Sequence, residues 1–381
     1  MSCSKVLPGI AAEDQVLDGP LPGLTSEQSR MFLRGDAAFN DEIFTTATGL
    51  GPLFVATSCG TCHAGDGKGH PFTTLTRFGQ SDTINNTFLY AGGPQLQHRA
   101  IIGFEAEQIP PGASFSSFVP PANTGLGFFE AVPDAALLAL ADPGDVNGDG
   151  ISGRPNWITA PQYSLIRPGA VNRNGKYIGR FGKKAAVYDL LQQTVNAYNQ
   201  DMGINSSYEH YNTYNGQDTD PEVSNQTVQD IVLYLQTLKA PIQRNQADAD
   251  VQAGKQVFMN IGCGKCHIPE MTTGNFSIQA LSHKTFFPFT DMLLHDMGPG
   301  LDDGYTEGTA LTSEWRTPAL WGLGLSQNSQ GGELFLMHDG RARNIEEAIL
   351  MHGGEGQQAS ENFRQLNTSE KDALLKFLQS L

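Results

Sequence analysis

The chain has 381 residues, with 24 Lys plus Arg against 40 Asp plus Glu and a formal net charge of −16, a surface that repels nucleic acid and anionic membrane and suits a basic partner better. Hydrophobic residues make up 39% of it, and no run approaches the roughly 20 apolar residues that span a bilayer. The length is more than one ordinary core needs and suggests two domains.

Residues 1–24 are rich in Pro and Gly and read as an irregular lead-in, with Cys3 standing alone near the start. Thr25-x-x-Gln28 is a capping-box signal, and Met31, Phe32, Ala38 and Phe39 make an apolar face, so a helix is predicted from there to about Asn40. It leads to "SCGTCHAGDGKGH", in which Cys59, Cys62 and His63 form the C-x-x-C-H pattern of c-type haem attachment. Residues 64–180, rich in Gly, Pro, Asn and Asp, read as loops with short helices and strands wrapped around a cofactor. Within them "DVNGDG" places Asp145, Asn147 and Asp149 at positions one, three and five with Gly150 at six, as in a calcium-binding EF-hand loop. Position twelve is Asn156 instead of Glu, so an Asx-rich turn that satisfies its own backbone is the competing reading.

Helical periodicity returns at 184–200 and at 227–238, and the polar stretch 239–250 with Pro241 reads as the linker. "VQAGKQVFMNIGCGKCH" then reads as a helix running into a second C-x-x-C-H motif, Cys263, Cys266 and His267. The chain closes with an amphipathic helix that Asn367 or Thr368 can cap.

The two halves repeat. Leu235-Gln236-Thr237-Leu238 ends one as Leu378-Gln379-Ser380-Leu381 ends the other, and each half runs helix, haem motif, insert, terminal helix, which is the plan of a cytochrome c domain. A single C-x-x-C-H also suits a zinc half-site or a redox dithiol, but two copies leave only Cys3, and no zinc site can be completed from the remaining thiols. Two covalently bound haems c are therefore expected, with His63 and His267 as proximal ligands. Such haems are attached outside the bacterial inner membrane, which implies a periplasmic protein. "MSCSKVLPGI" lacks a basic n-region and an apolar h-region, so a signal peptide is expected to have been removed. Cys3 reads either as a lipid carrier, the one route to a membrane, or as a free thiol.

"GLGPLFVATSCGTCHAGDGKGHP", "GDVNGDGISGRPN", "GRFGKKA", "LLHDMGPGL", "SEWRTPALWGLG" and "HDGRARNIEEAILMHGGEG" together resemble the di-haem oxidoreductase family, a peroxidase or thiol oxidoreductase group related to bacterial di-haem cytochrome c peroxidases and to the di-haem enzyme that matures methylamine dehydrogenase. The resemblance runs from about residue 26 to 381. In the relatives the sixth ligand of the C-terminal haem stands fourteen residues after the His of the H-D-G segment, which from His338 reaches His352. The resemblance thus implies a bis-histidine second haem, with Met292, Met297, Met351 and His295 as rivals. Laying Leu190 on Ile345 puts Ala197 opposite His352, and alanine cannot bind iron. The family's distal Gln and carboxylate fall on Gln193 and, with a two-residue offset, Asp201. Where some relatives carry Trp between the haems this chain has Lys183, leaving Trp157, Phe181, Trp315 and Trp321 as aromatic alternatives. The relatives' inter-domain calcium favours the metal reading of the "DVNGDG" loop. Arg316 and Arg341 are candidates for the haem propionates, because guanidinium matches carboxylate bidentately.

The expected architecture is mainly α with little β: a lead-in over 1–24, a cytochrome c-like domain over 25–242 with a large insertion, and a second over 243–381. The expected function is reduction of hydrogen peroxide at the first haem, with electrons from a small periplasmic donor relayed through the second. A di-haem electron carrier for iron uptake or thiol oxidation is the alternative, and an oxidase that modifies a partner protein is a third reading.

Overall fold

The computed structural model describes residues 19–79 and 94–381, together with 12, 14, 17 and 88; Cys3 and most of the lead-in lie outside the described residues. Helix takes up 35% and strand 11%, and the strands form only two-stranded pieces, so the mainly α expectation holds. The helices in chain order are α1 (Ser26–Asn40), α2 (Cys59–Cys62), α3 (Leu126–Ala131), α4 (Asp134–Leu140), α5 (Leu190–Asn196), α6 (Asn225–Thr237), α7 (Ala249–Asn260), α8 (Ser326–Ser329), α9 (Ile345–Leu350), α10 (Gln357–Gln365) and α11 (Thr368–Ser380).

Caps set the helix ends where their residues anticipate them. Thr25 accepts from the Gln28 amide while the Gln28 side chain returns a bond to Thr25 N, and Asn367 with Glu370 forms the same reciprocal pair on α11. Asp189 and Asn344, aligned in the repeat, each cap the helix that follows, so α5 and α9 begin at Leu190 and Ile345.

Two departures matter for the site. The helix expected over 184–200 starts only at Leu190. Before it, Phe181 bridges Val187 and Ala185 has φ +51°, because the Lys184 ammonium is held at 2.7–3.2 Å by the carbonyl oxygens of Leu311, Thr312 and Glu314. After α5 the chain widens into a π turn over Ala197–Asp201, a distortion common beside functional sites. It carries Asp201 at its end, just past the stretch that matches α9. In the second half, α7 does not run straight into its motif. Gly262 at φ +99° ends it, and a short 3-10 turn carries Cys263.

The repeat is visible in packing. α1 crosses α6 at Gly35, where a side chain would overlap the Asp230 carbonyl and the Tyr234 Cβ; α7 crosses α11 at Gly254 against the Ala373 carbonyl and the Phe377 Cβ. Asp230 and Ala373 each stand five residues before the first Leu of the closing L-Q-x-L tetrapeptides. One turn beyond each glycine an aromatic ring joins the crossing to a motif histidine. Phe39 lies 5.6 Å from Tyr234 and 6.0 Å from His63, and Phe258 lies 5.4 Å from Phe377 and 6.5 Å from His267. Gly254→Val is therefore expected to force α7 off α11 at a cost of about 1–3 kcal/mol or more, read as a lower melting temperature; an unchanged melting curve would contradict the crossing.

Beside two smaller clusters, two large apolar cores result among the described residues. One gathers Phe32, Phe39, Leu190, Ile231 and Leu235 with Met271, Leu281, Phe286 and Trp321, so the segment 271–293 packs on the first half of the chain. The other holds Phe258, Ile345, Phe363, Leu374 and Phe377.

Candidate haem-binding cavity

Both motifs open onto one cavity of about 1170 Å³ whose walls include Cys59, Cys62, His63, Cys263, Cys266, His267 and His352. That exceeds the roughly 300–1,000 Å³ of a pocket for one drug-sized ligand. The four cysteines are free. Burial pushes Cys59, Cys62 and Cys263 up to about 12, the Asp201 carboxylate adding to the first two, and it raises Cys266 as well. A redox dithiol needs a lowered thiol pKa, so these motifs are poor sites for one. Neutral thiols beside a histidine suit thioether attachment.

The three histidines are neutral lone-pair donors. Burial pulls His63 and His267 down to about 4 and lowers His352. His267 Nδ1 donates to the Phe289 carbonyl at 2.9 Å and His352 Nδ1 to the Ala348 carbonyl at 2.7 Å, which leaves Nε2 of each as the free base, the arrangement usual for a metal-bound imidazole. A charge on His352 is felt at His267, so the two rings belong to one pocket.

The rivals to His352 separate by place. Met292 is buried in the first core and Met351 is exposed, and neither lines the cavity. His295 does line it, but Asp291 takes its Nε2 at 2.7 Å and Glu355 its Nδ1 at 2.6 Å. Burial opposes charge on this ring, yet the bonds to Asp291, Cys266 and Glu355 win and raise it to about 12. A doubly protonated ring has no lone pair for iron, nor for a metal at the Cys266–Asp291–His295 cluster, the one such grouping among the described residues. Met297 lines the cavity and remains the alternative.

Around the first motif the wall contains Gln193, Ala197 and Asp201, as the repeat implies. Burial lifts the Asp201 carboxyl to about 7 while Arg77 pulls it down. Arg77 carries no local sequence signal, because its neighbours are distant in the chain: it pairs with Glu307 and lies within 3.3 Å of the Gln200 side-chain oxygen.

The remaining expectations divide. Arg316 lines the cavity. Arg341 does not; its guanidinium is turned to Asp339 at 2.7 Å and to the Gly300 carbonyl at 3.1 Å, which corrects its assignment to a propionate. The "DVNGDG" loop takes the self-satisfied form: Asp145 accepts from Gly150 N, Asn147 from Asp149 N and Asp149 from Ile151 N, while Asp142 accepts from Val146 N and Asn147 N. Phe181, Trp315 and Trp321 line the cavity and Trp157 does not. Trp315 stacks on His338 with centroids 3.8 Å apart, under the Lys184 ammonium.

Residues 119–381 match the family described as "Di-haem oxidoreductase, putative peroxidase". No curated protein matches. Among solved structures, hydrazine synthase of Kuenenia stuttgartiensis, pressurized with xenon, is similar at 15% identity and a TM-score of 0.43, over 100% of this chain and 99% of that one.

Proposed function

Because this chain belongs to the di-haem oxidoreductase family, we propose that it is a periplasmic peroxidase of two cytochrome c-like halves. One haem is held on Cys59 and Cys62 with His63, the other on Cys263 and Cys266 with His267 and His352. Hydrogen peroxide is reduced at the first and a small electron donor is oxidised at the second. The observation that supports it most is the asymmetry of the repeat, alanine at 197 where the matching position just past α9 holds His352, with Gln193 and Asp201 on the same wall.

A haem held by Cys59, Cys62 and His63 would supply the redox centre at which a peroxide O–O bond is reduced. Asp201 takes a proton from one peroxide oxygen and delivers it to the other, which leaves as water. With two electrons from the donor and two protons from solvent, each peroxide gives two waters. A carboxyl near 7 suits this task, since it can both accept and return a proton at neutral pH. Arg77, fixed by Glu307, favours the charged form of Asp201 and any anion beside it.

The test is peroxide consumption by the holoprotein with a reduced small donor, followed against pH. Since Asp201 must be ionised to start, kcat/KM should climb as pH rises through about 7. Arg77→Gln removes the pull that lowers the carboxyl, so the rising limb should move to higher pH. Absence of consumption, with neither haem responding to peroxide, would favour the electron carrier for iron uptake or thiol oxidation.

A further inference from the structure

Five cationic side chains line the cavity: Lys68, Arg77, Lys183, Lys265 and Arg316. Arg77 is paired with Glu307, and Lys265 meets Asp149 at 3.1 Å. The other three have no carboxylate partner among the described residues. Arg316 bonds only to backbone, the Gly182 carbonyl at 3.0 Å and the Thr317 carbonyl at 3.3 Å, and the Lys68 and Lys183 ammonium groups have no hydrogen-bond partner there.

These three cations form one cluster. Burial disfavours charge on Lys183, Lys68 and Arg316 add their repulsion to it, and Asp339, the one acid that acts on Lys183, is already bound to Arg341. Backbone bonds brace the group: Arg316 N donates to the Lys183 carbonyl at 2.9 Å, and Ser329 Oγ to the Lys68 carbonyl at 2.8 Å. Three neighbouring positive groups, each half-buried on the cavity wall, with Asp339 and Asp291 acting on Lys183 and Arg316 only from beyond ion-pair distance, repel one another, so a fold that assembles them there implies an anion inside. A charge on Lys183 is felt at His63, which places the cluster beside the first motif.

We propose that Lys68, Lys183 and Arg316 are the binding site for haem propionate carboxylates, with Lys183 set against the first haem. This rests on the proposed two-haem reading. It gives Lys183 a purpose other than a broken aromatic route. A propionate carboxylate beside Lys183 holds it in its charged form, and that charge favours the electron-rich ferrous state and so raises the potential of the first haem relative to the second.

The experiment is an optical redox titration of the purified holoprotein with a haem count per chain, for wild type, Lys183→Met, Lys183→Arg and Lys68→Met. Lys183→Met should lower the midpoint of the first haem and leave the second nearly in place, Lys68→Met should act in the same direction, and Lys183→Arg should restore the wild-type value. Loss of the first haem from Lys183→Met with retention in Lys183→Arg would support the site equally. Two haems per chain with unmoved midpoints in both methionine variants would overturn the cluster alone. A wild-type midpoint that shifts on adding inorganic phosphate would assign the cations to a solution anion and overturn it too. A wild-type chain without haem would overturn the proposed function along with it.

Discussion

Asp201→Asn is expected to lower kcat/KM for hydrogen peroxide by about 10²–10⁴-fold, the usual contribution of a positioned acid–base group, while the oxidised spectrum stays nearly intact. The amide keeps the size of the side chain and cannot exchange a proton. Its surroundings make the effect specific: the carboxyl lines the cavity beside Cys59 and Cys62, raises both thiols, and is itself lifted to about 7 by burial. The backbone at this position also matters, because the Asp201 carbonyl accepts from Val55 N at 2.6 Å and Ala56 N at 3.1 Å, and asparagine preserves both bonds. Unchanged turnover in this variant would remove Asp201 from the chemistry and point to Gln193 or Arg77.

His352→Ala is expected to abolish the low-spin signal of the second haem and to let it bind cyanide, with added imidazole restoring the original spectrum. Two nitrogen ligands make a closed centre, and removal of one opens it. The Ala348 carbonyl holds His352 in the tautomer that leaves Nε2 as the free base, so the variant removes the nitrogen proposed as the ligand. Met297, on the same wall, supplies the control. If His352→Ala keeps its low-spin signal and Met297→Leu loses it, the ligand is the thioether.

Where chemistry is written in local spacing, the chain announced its structure. The two C-x-x-C-H motifs and the Thr25–Gln28 box depend on residues a few positions apart, and the caps Asp189 and Asn344 start α5 and α9 at the aligned Leu190 and Ile345. Arg341 failed because a sequence shows a charge and not its direction; Asp339, two residues away, captures it. The helix over 184–189 failed because Lys184 answers to three carbonyl groups more than a hundred residues on. Periodicity is blind to such contacts. Lys68, Arg77 and the packing of 271–293 on the first core were hidden for the same reason, since each acquires its meaning from partners that only the tertiary fold brings near. The two-residue strands could not be read either, being too short to carry an alternating pattern.

The central claim is that the chain holds two haems in unequal surroundings, one closed by His267 and His352 and one open beside Ala197. It is tested most directly by electron paramagnetic resonance of the holoprotein, oxidised and half-reduced, with and without cyanide. The expected result is one low-spin signal that ignores cyanide and a second signal that changes on its addition in at least one of the two redox states. Two low-spin signals, both indifferent to cyanide in both states, would contradict it.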